Sequence, residues 1–178
     1  MTDDFTSQPT ELPTTSVADF VATYGGVYEH SPWVAEAVAA EGLSAADEEP
    51  SHLAPRMARV VDAAGRDAQL ELLRLHPELV GKLKVGEELT AASKGEQASA
   101  RLDQCTPEQF ERFRALNEAY NARFGFPFIV AVTGMTREDI LAAFERRIGN
   151  STEEEFRTAL AQVHRIARIR LDSLAARR

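Results

Sequence analysis

Cysteine is almost absent from this chain. Cys105 is the only one, which excludes an internal disulfide and any metal knuckle built on paired thiolates, and a lone thiol reads as a small core residue. Histidine is scarce too. His30, His52, His76 and His164 are scattered so that no two share a helical turn, and no zinc site is expected from them. Neither a Gly-Lys-Ser/Thr phosphate loop nor a Gly-x-Gly-x-x-Gly fingerprint occurs, which removes the usual cradles for nucleoside triphosphates and dinucleotides. Basic charge is outweighed: 20 Lys and Arg stand against 28 Asp and Glu, a formal net charge of -8. Nucleic-acid binding needs a concentrated positive surface, so no nucleic-acid partner is expected. No apolar run approaches the ~20 residues that span a bilayer, and residues 1–16 carry neither the basic start nor the apolar stretch of a secretory signal. The C-terminal Ala175-Ala176-Arg177-Arg178 is not a peroxisomal address. A cytoplasmic protein with no membrane role is the expectation.

What is present suffices for one domain. The chain has 178 residues, 44% of them hydrophobic, enough to bury a core of ordinary size. Residues 1–15 are rich in Thr, Ser, Pro and acidic side chains, and read as a mobile tail ahead of a domain spanning 16–178. From there the punctuation is helical. Ser16 caps a helix that stops at Gly25-Gly26, and Ser31-Pro32 opens another that stops at Gly42. Helices are predicted over Pro55–Ala64 and Arg66–Leu75, split by Gly65. Thr106-Pro107-Glu108-Gln109 and Ser151-Thr152-Glu153-Glu154 are capping boxes. The first leads a helix with Phe110, Phe113, Leu116 and Tyr120 on one face, the second a C-terminal helix with Phe156, Leu160, Val163, Ile166, Ala167, Leu171 and Leu174 on its stripe. Thr136 opens one more, closing near Gly149-Asn150. Only 128–133 reads as a strand, and it has no partner, so the expected fold is an all-α bundle of about eight helices.

Three polar or aromatic clusters stand out from this helical background. His76-Pro77 falls where a helix stops, since proline biases the residue before it toward extended backbone; by itself such a histidine also serves to meet the last carbonyls of the helix. Ser93-x-x-Glu96, followed by Gln97, lies near the start of a helix beginning at Thr90 or Ser93, and taken alone reads as a capping box before it reads as a pair of site residues on one face. Phe126-Pro127-Phe128 is either plain core or the edge of a site. Gly125 and Pro127 end the helix there, leaving N–H groups around 128–130 free to hold a flat polar ligand. Trp33 is expected in the core, Glu29 and His30 as a brace at the helix entry before Ser31-Pro32, and His164 as a packed or partly exposed side chain.

Several pieces taken together resemble one family. These are Tyr28-Glu29-His30-Ser31-Pro32-Trp33-Val34-Ala35-Glu36, His76-Pro77-Glu78-Leu79-Val80-Gly81-Lys82, and Leu89-Thr90 with Ser93 and Glu96-Gln97. Leu116-Asn117 with Tyr120 and Phe124-Gly125-Phe126-Pro127-Phe128 follow, then Arg146-Arg147-Ile148 with Asn150, and Ile166-Ala167 with Ile169-Arg170-Leu171. In this order, from about Phe20 to Leu174, the chain is similar to the 2-oxo-4-hydroxy-4-carboxy-5-ureidoimidazoline (OHCU) decarboxylases, carboxy-lyases that form (S)-allantoin in the last of three steps from urate. The resemblance implies an all-helical homodimer that needs no metal and no cofactor. It implies that His76 and Glu96 are catalytic, that Pro77, Ser93 and Gln97 line the substrate, and that the run from Phe126 through Phe128 to Ile129 holds its ring. Arg170 corresponds to the substrate-binding arginine, with Arg146 and Arg147 as competitors for that role. Lys94-Gly95 departs from the charged pair the family often carries there, which loosens the helix but keeps the Ser93-to-Glu96 spacing. A helical protein that binds a purine metabolite without turning it over, and a structural bundle pairing through its last helix, are the alternative readings.

Overall fold

The computed structural model describes residues 15–81 and 89–178. The tail expected over 1–15 lies outside the described residues except for Thr15, as does Lys82. Eight α-helices carry the fold: α1 Val17–Tyr24, α2 Trp33–Ala40, α3 Pro50–Ala63, α4 Arg66–Arg74, α5 Ala91–Ser99, α6 Pro107–Phe124, α7 Arg137–Arg147 and α8 Thr152–Ala175. Single 3-10 turns interrupt the connections at Ala45–Glu48 and Leu102–Gln104. No strand occurs among the described residues; 128–132 run irregularly and pair with nothing.

The helix starts follow local chemistry. Ser16, Thr106, Thr136 and Ser151 each accept the N–H three residues on, and Gln109, Asp139 and Glu154 return the bond for the last three. Such caps contribute about 1 kcal/mol each by satisfying donors that no carbonyl inside the helix can reach. Gly125 ends α6 at φ 75, a left-handed conformation in which a Cβ would be strained. Two starts differ from the sequence expectation. Helix α3 begins at Pro50 rather than Pro55: Glu49-Pro50 already supplies a proline at the first helical position. Pro55 is tolerated because both it and Ser51, the residue whose carbonyl it leaves without a helical donor, are exposed. Helix α2 starts at Trp33 after Pro32, and the Ser31 hydroxyl donates instead to the carbonyl of Glu29.

The long C-terminal helix is the spine, with α3, α4 and α6 packed along it. Phe156, Ala159, Leu160, Val163, Ile166, Ala167 and Leu171 form its buried stripe, each large apolar side chain worth about 1.5–3 kcal/mol on burial. Arg170 occupies the same stripe at 6% exposure. A guanidinium at a core position requires partners, and those partners define the site below. An aromatic cluster joins Tyr120, Phe124, Phe126, Phe128, Phe144 and Phe156 edge to face, tilted or stacked, where α6, α7, the start of α8 and the 126–132 segment meet. Trp33 is half-buried against the core rather than within it.

Candidate active site

Helix α4 ends at Arg74, and the His76 amide reaches back to the Leu73 carbonyl at 3.2 Å before Pro77 turns the chain away. The turn that follows is tight. Val80 adopts φ 55, and a Cβ on Gly81 would lie 2.6 Å from the Glu78 Cβ, so glycine is required there sterically. Helix α6 fixes this turn from outside: Asn117 Nδ2 donates to the Leu79 carbonyl at 2.9 Å and Asn121 Nδ2 to Glu78 Oε1 at 2.5 Å. Gln97 of α5 spans it more loosely, accepting from the Val80 amide and donating to the Glu78 carbonyl, both at 3.4 Å.

That scaffold holds the His76 ring half-buried, with one nitrogen shut away from water. Its Nδ1 is buried and has no hydrogen-bond partner among the described residues. Burial pushes the imidazole down to about 4, helped by the positive charge of Arg170 and by His30, against the pull of Glu29. At neutral pH the ring is therefore uncharged and holds a free capacity for a hydrogen bond or a proton.

Helix α5 brings the second group. Thr90 is its N-cap, accepting the Ser93 amide, so Ser93 lies inside the first turn and Ser93-x-x-Glu96 is not a capping box. One turn apart on the same face, Ser93 and Glu96 both meet Arg170. All five N–H groups of that guanidinium are engaged. Nε and Nη2 bind the two oxygens of Glu96 at 2.7 and 3.0 Å, a bidentate pair; Nη2 also donates to Ser93 Oγ at 3.2 Å. Nη1 donates to Glu29 Oε2 at 2.7 Å and to the Val27 carbonyl at 3.3 Å. Burial disfavours the charged guanidinium, yet Glu96 and Glu29 more than offset it and hold Arg170 firmly protonated.

His76, Pro77, Ser93, Glu96, Gln97, Phe128 and Ile129 line one small cavity, with about 20 Å³ of free space and an apolar wall of Leu79, Val130, Val132 and Ile166. Glu96 also borders an outer groove of about 540 Å³, alongside Arg170, Gly95 and Ile169. Seven of the nine residues singled out from the sequence thus share one cavity, and Arg170 is tied to it through Glu96 and Ser93. Phe126 is the exception. It is buried against Tyr120, Phe124 and Phe156 and does not line the cavity. Phe128 has its ring stacked on Phe144 at 3.9 Å with the Arg147 guanidinium 4.4 Å from its centroid, so it offers an edge rather than a face to a ligand. No backbone acceptor among the described residues takes the amides of Phe128, Ile129 or Val130, the open donors expected there.

The two competing arginines part company. Arg146 is exposed. Arg147 is buried, pairs with Glu155 at 2.5 Å and donates to the Ile129 carbonyl at 2.6 Å, and Tyr120 and Asn150 donate to Glu155 as well. It braces the cavity wall from behind. Asn117, lying among Phe113, Leu116, Tyr120 and Phe124 on the buried side of α6, was legible only as an amide in an apolar stripe. Glu29 is the larger omission. Instead of bracing the entry to α2, its side chain is 2% exposed and turned into the site. Among the described residues no group of three or more His, Cys, Asp or Glu is arranged to hold a metal ion.

A neutral imidazole with an open nitrogen, a carboxylate and a fixed guanidinium suit proton handling on a small anionic molecule. The OHCU decarboxylase family model matches residues 13–172. A 2-oxo-4-hydroxy-4-carboxy-5-ureidoimidazoline decarboxylase of Haloferax volcanii is 49% identical over 153 residues, 85% of this chain and 86% of that protein. Among solved structures, (S)-allantoin synthase superposes with a TM-score of 0.70 at 36% identity, covering 90% of this chain and 51% of that one, so this chain spans about half its length. An OHCU decarboxylase crystallised in the presence of (S)-allantoin gives 0.67 at 17% identity, over 91% of this chain and 99% of that one, a likeness of fold. On the match across nearly its whole length, the chain belongs to the OHCU decarboxylase family.

Proposed function

We propose that this protein is a carboxy-lyase that converts OHCU to (S)-allantoin without a cofactor, through a single helical domain spanning 16–178. The observation that carries the reading is the shared cavity. His76, neutral and with Nδ1 unpartnered, faces the same space as Glu96, in a chain of this family.

The substrate supplies its own electron sink. Its carboxylate is borne by a carbon that also carries a hydroxyl and adjoins a ring carbon–nitrogen double bond. As carbon dioxide leaves, the carbon–carbon bond pair forms a double bond to the neighbouring ring carbon, and the imine pair moves onto nitrogen, which takes up a proton. The hydroxyl then gives up its proton as the ring carbonyl forms, and the neighbouring carbon gains one on a single face. His76 is the acceptor for the hydroxyl proton, which its neutral state allows. Glu96 delivers the proton to carbon. Arg170 and Gln97 position the substrate, Pro77, Ser93, Phe128 and Ile129 shape the space, and Phe126 acts through packing alone.

Every Arg170 donor is already engaged. A substrate oxygen that binds this guanidinium therefore takes the place of Glu96 on the Nε–Nη2 edge. Released from that edge, the Glu96 carboxyl is free to turn to the ring carbon that takes up the proton. The family resemblance further implies a cytoplasmic homodimer, the latter read directly by light scattering on the eluting protein.

The test generates the labile substrate in place from urate with the two upstream enzymes and follows its absorbance together with the optical activity of allantoin. Accelerated decay with one-handed product is expected. Decay at the spontaneous rate to racemic product refutes the assignment, and saturable binding without acceleration selects the non-catalytic purine-metabolite-binding reading.

A further inference from the structure

Glu29 has no role in the mechanism above, yet it is the most thoroughly held acid in the site. Its backbone sits in a strained corner: His30 adopts φ 49, and the Ser31 amide and hydroxyl bond back to Tyr28 and Glu29 carbonyls. That corner drives the carboxylate inward, where Thr90 Oγ1 donates to one oxygen at 2.8 Å and Ser93 Oγ and Arg170 Nη1 donate to the other at 3.0 and 2.7 Å. Three elements, the α1–α2 corner, α5 and α8, converge on one side chain at 2% exposure.

The two carboxylates on Arg170 are not equivalent. Glu96 is half-buried, borders both cavities and takes the Nε–Nη2 edge. Glu29 borders neither and holds Nη1 from behind. We infer that Glu29 is a positioning residue for the decarboxylation, the permanent counter-ion that keeps Arg170 and Ser93 in place while the outer edge of the guanidinium exchanges Glu96 for substrate. The inference rests on the reaction proposed above. Without Glu29, a guanidinium released by Glu96 would have no fixed anion, and it would follow the substrate or swing toward the outer groove.

The same carboxylate also acts on His76 through space, favouring the imidazolium, while Arg170 and His30 oppose it. Glu96 shares the His76 cavity, and Glu78 stands two residues along the same turn. Removing the Glu29 charge therefore leaves a signature that loss of packing does not: His76 protonates at lower pH.

The experiment compares wild type, Glu29→Gln and Glu29→Asp over a pH–rate profile with in situ substrate, with melting temperatures measured alongside. Glu29→Gln should lower the plateau of kcat at least tenfold and displace the acid limb to lower pH. Glu29→Asp keeps the charge, so its limb should stay at the wild-type position, but one methylene short it cannot reach Thr90 and Arg170 together, and its plateau should also fall tenfold. A Glu29→Gln plateau within twofold of wild type, or a lowered melting temperature with the limb unmoved, overturns the inference. If Glu29→Gln does not fold, Glu29→Asp carries the test, and a wild-type plateau in that variant overturns it. An inactive wild type overturns the reaction and this inference together, whereas an active wild type with an undisturbed Glu29→Gln overturns only the role of Glu29.

Discussion

Replacing Arg170 with methionine keeps much of the side-chain volume in the α8 stripe and removes the guanidinium that meets both Glu29 and Glu96. Glu29 would remain nearly inaccessible, with the hydroxyls of Thr90 and Ser93 and the exposed His30 ring, 3.9 Å away, left beside its charge. Removing one partner of a buried ion pair costs about 3–5 kcal/mol, since the remaining charge is desolvated and unpaired. That is a large share of a total stability of about 5–15 kcal/mol. For a chain of this size each kcal/mol moves the melting temperature by about 2–4 °C, so a fall of about 6–20 °C is expected at pH 7. Glu96, more exposed, can turn to water and adds little. The pH dependence gives the sign. Burial pushes Glu29 upward, but Arg170 and the Thr90 bond hold it below the usual carboxylate range in the wild type. Its contribution is present above the unfolded pKa of about 4.3 and is lost as pH falls through the lower folded value. In the variant the folded value lies above the unfolded one, so the variant gains stability on acidification while the wild type loses it. The gap measured by scanning calorimetry should therefore be widest at pH 7 and narrow toward pH 4. A second substitution, Glu29→Gln on the Arg170→Met background, should restore about 2 kcal/mol by removing the orphaned charge. A gap under about 1 kcal/mol, or one of equal size at both pH values, would refute the reasoning.

Other outcomes follow from the same geometry. His76→Ala should reduce turnover by about 10²–10⁴-fold with the far-UV helical signal unchanged; near-normal turnover removes His76 from the mechanism. In the wild type, kcat/KM should hold steady through neutral pH and fall on the acid side as His76, pushed down to about 4, takes up a proton; a limb near 6.5 would mean an imidazole in contact with water. Glu96→Gln should abolish one-handed product, and a single hand of allantoin at the wild-type rate would show that Glu96 does not protonate carbon. Asn117→Ala leaves the buried Leu79 carbonyl without its donor, a loss of about 1–3 kcal/mol in chemical denaturation, and by loosening the His76 turn it should lower kcat more than it raises KM.

Much of the site was readable because its chemistry is local. His76-Pro77 suggests a helix stop through the bias proline imposes on the residue before it, and Ser93, Glu96 and Gln97 share a helix face by spacing alone. Phe126 shows the limit of that reasoning. It belongs to the same aromatic run as Phe128, and both rings pack on Tyr120, yet the irregular 126–132 segment brings only Phe128 to the cavity. Arg146 and Arg147 could not be separated from Arg170 by residue type. Helix phase separates them: Arg147 faces inward onto Glu155, Arg146 faces solvent, and Arg170 interrupts an apolar stripe opposite α5. The sequence assigns Glu29 to the helix entry because a carboxylate there has an ordinary local use, whereas the hydroxyls and guanidinium that claim it lie 61, 64 and 141 residues away.

The amino-acid order alone determined most of the helices and caps, apart from the starts of α2 and α3, and the apolar faces that make them pack, because those depend on neighbours within a turn or two. It also determined that a histidine at a chain break and a helix-borne glutamate were available for proton transfer. Only the folded chain decided their states. Burial makes His76 neutral, and the convergence of the α1–α2 corner, α5 and α8 sets one arginine between two acids, one closed off behind it and one open to both cavities. Charge and dielectric act through space, and the residues that set them here are far apart along the chain.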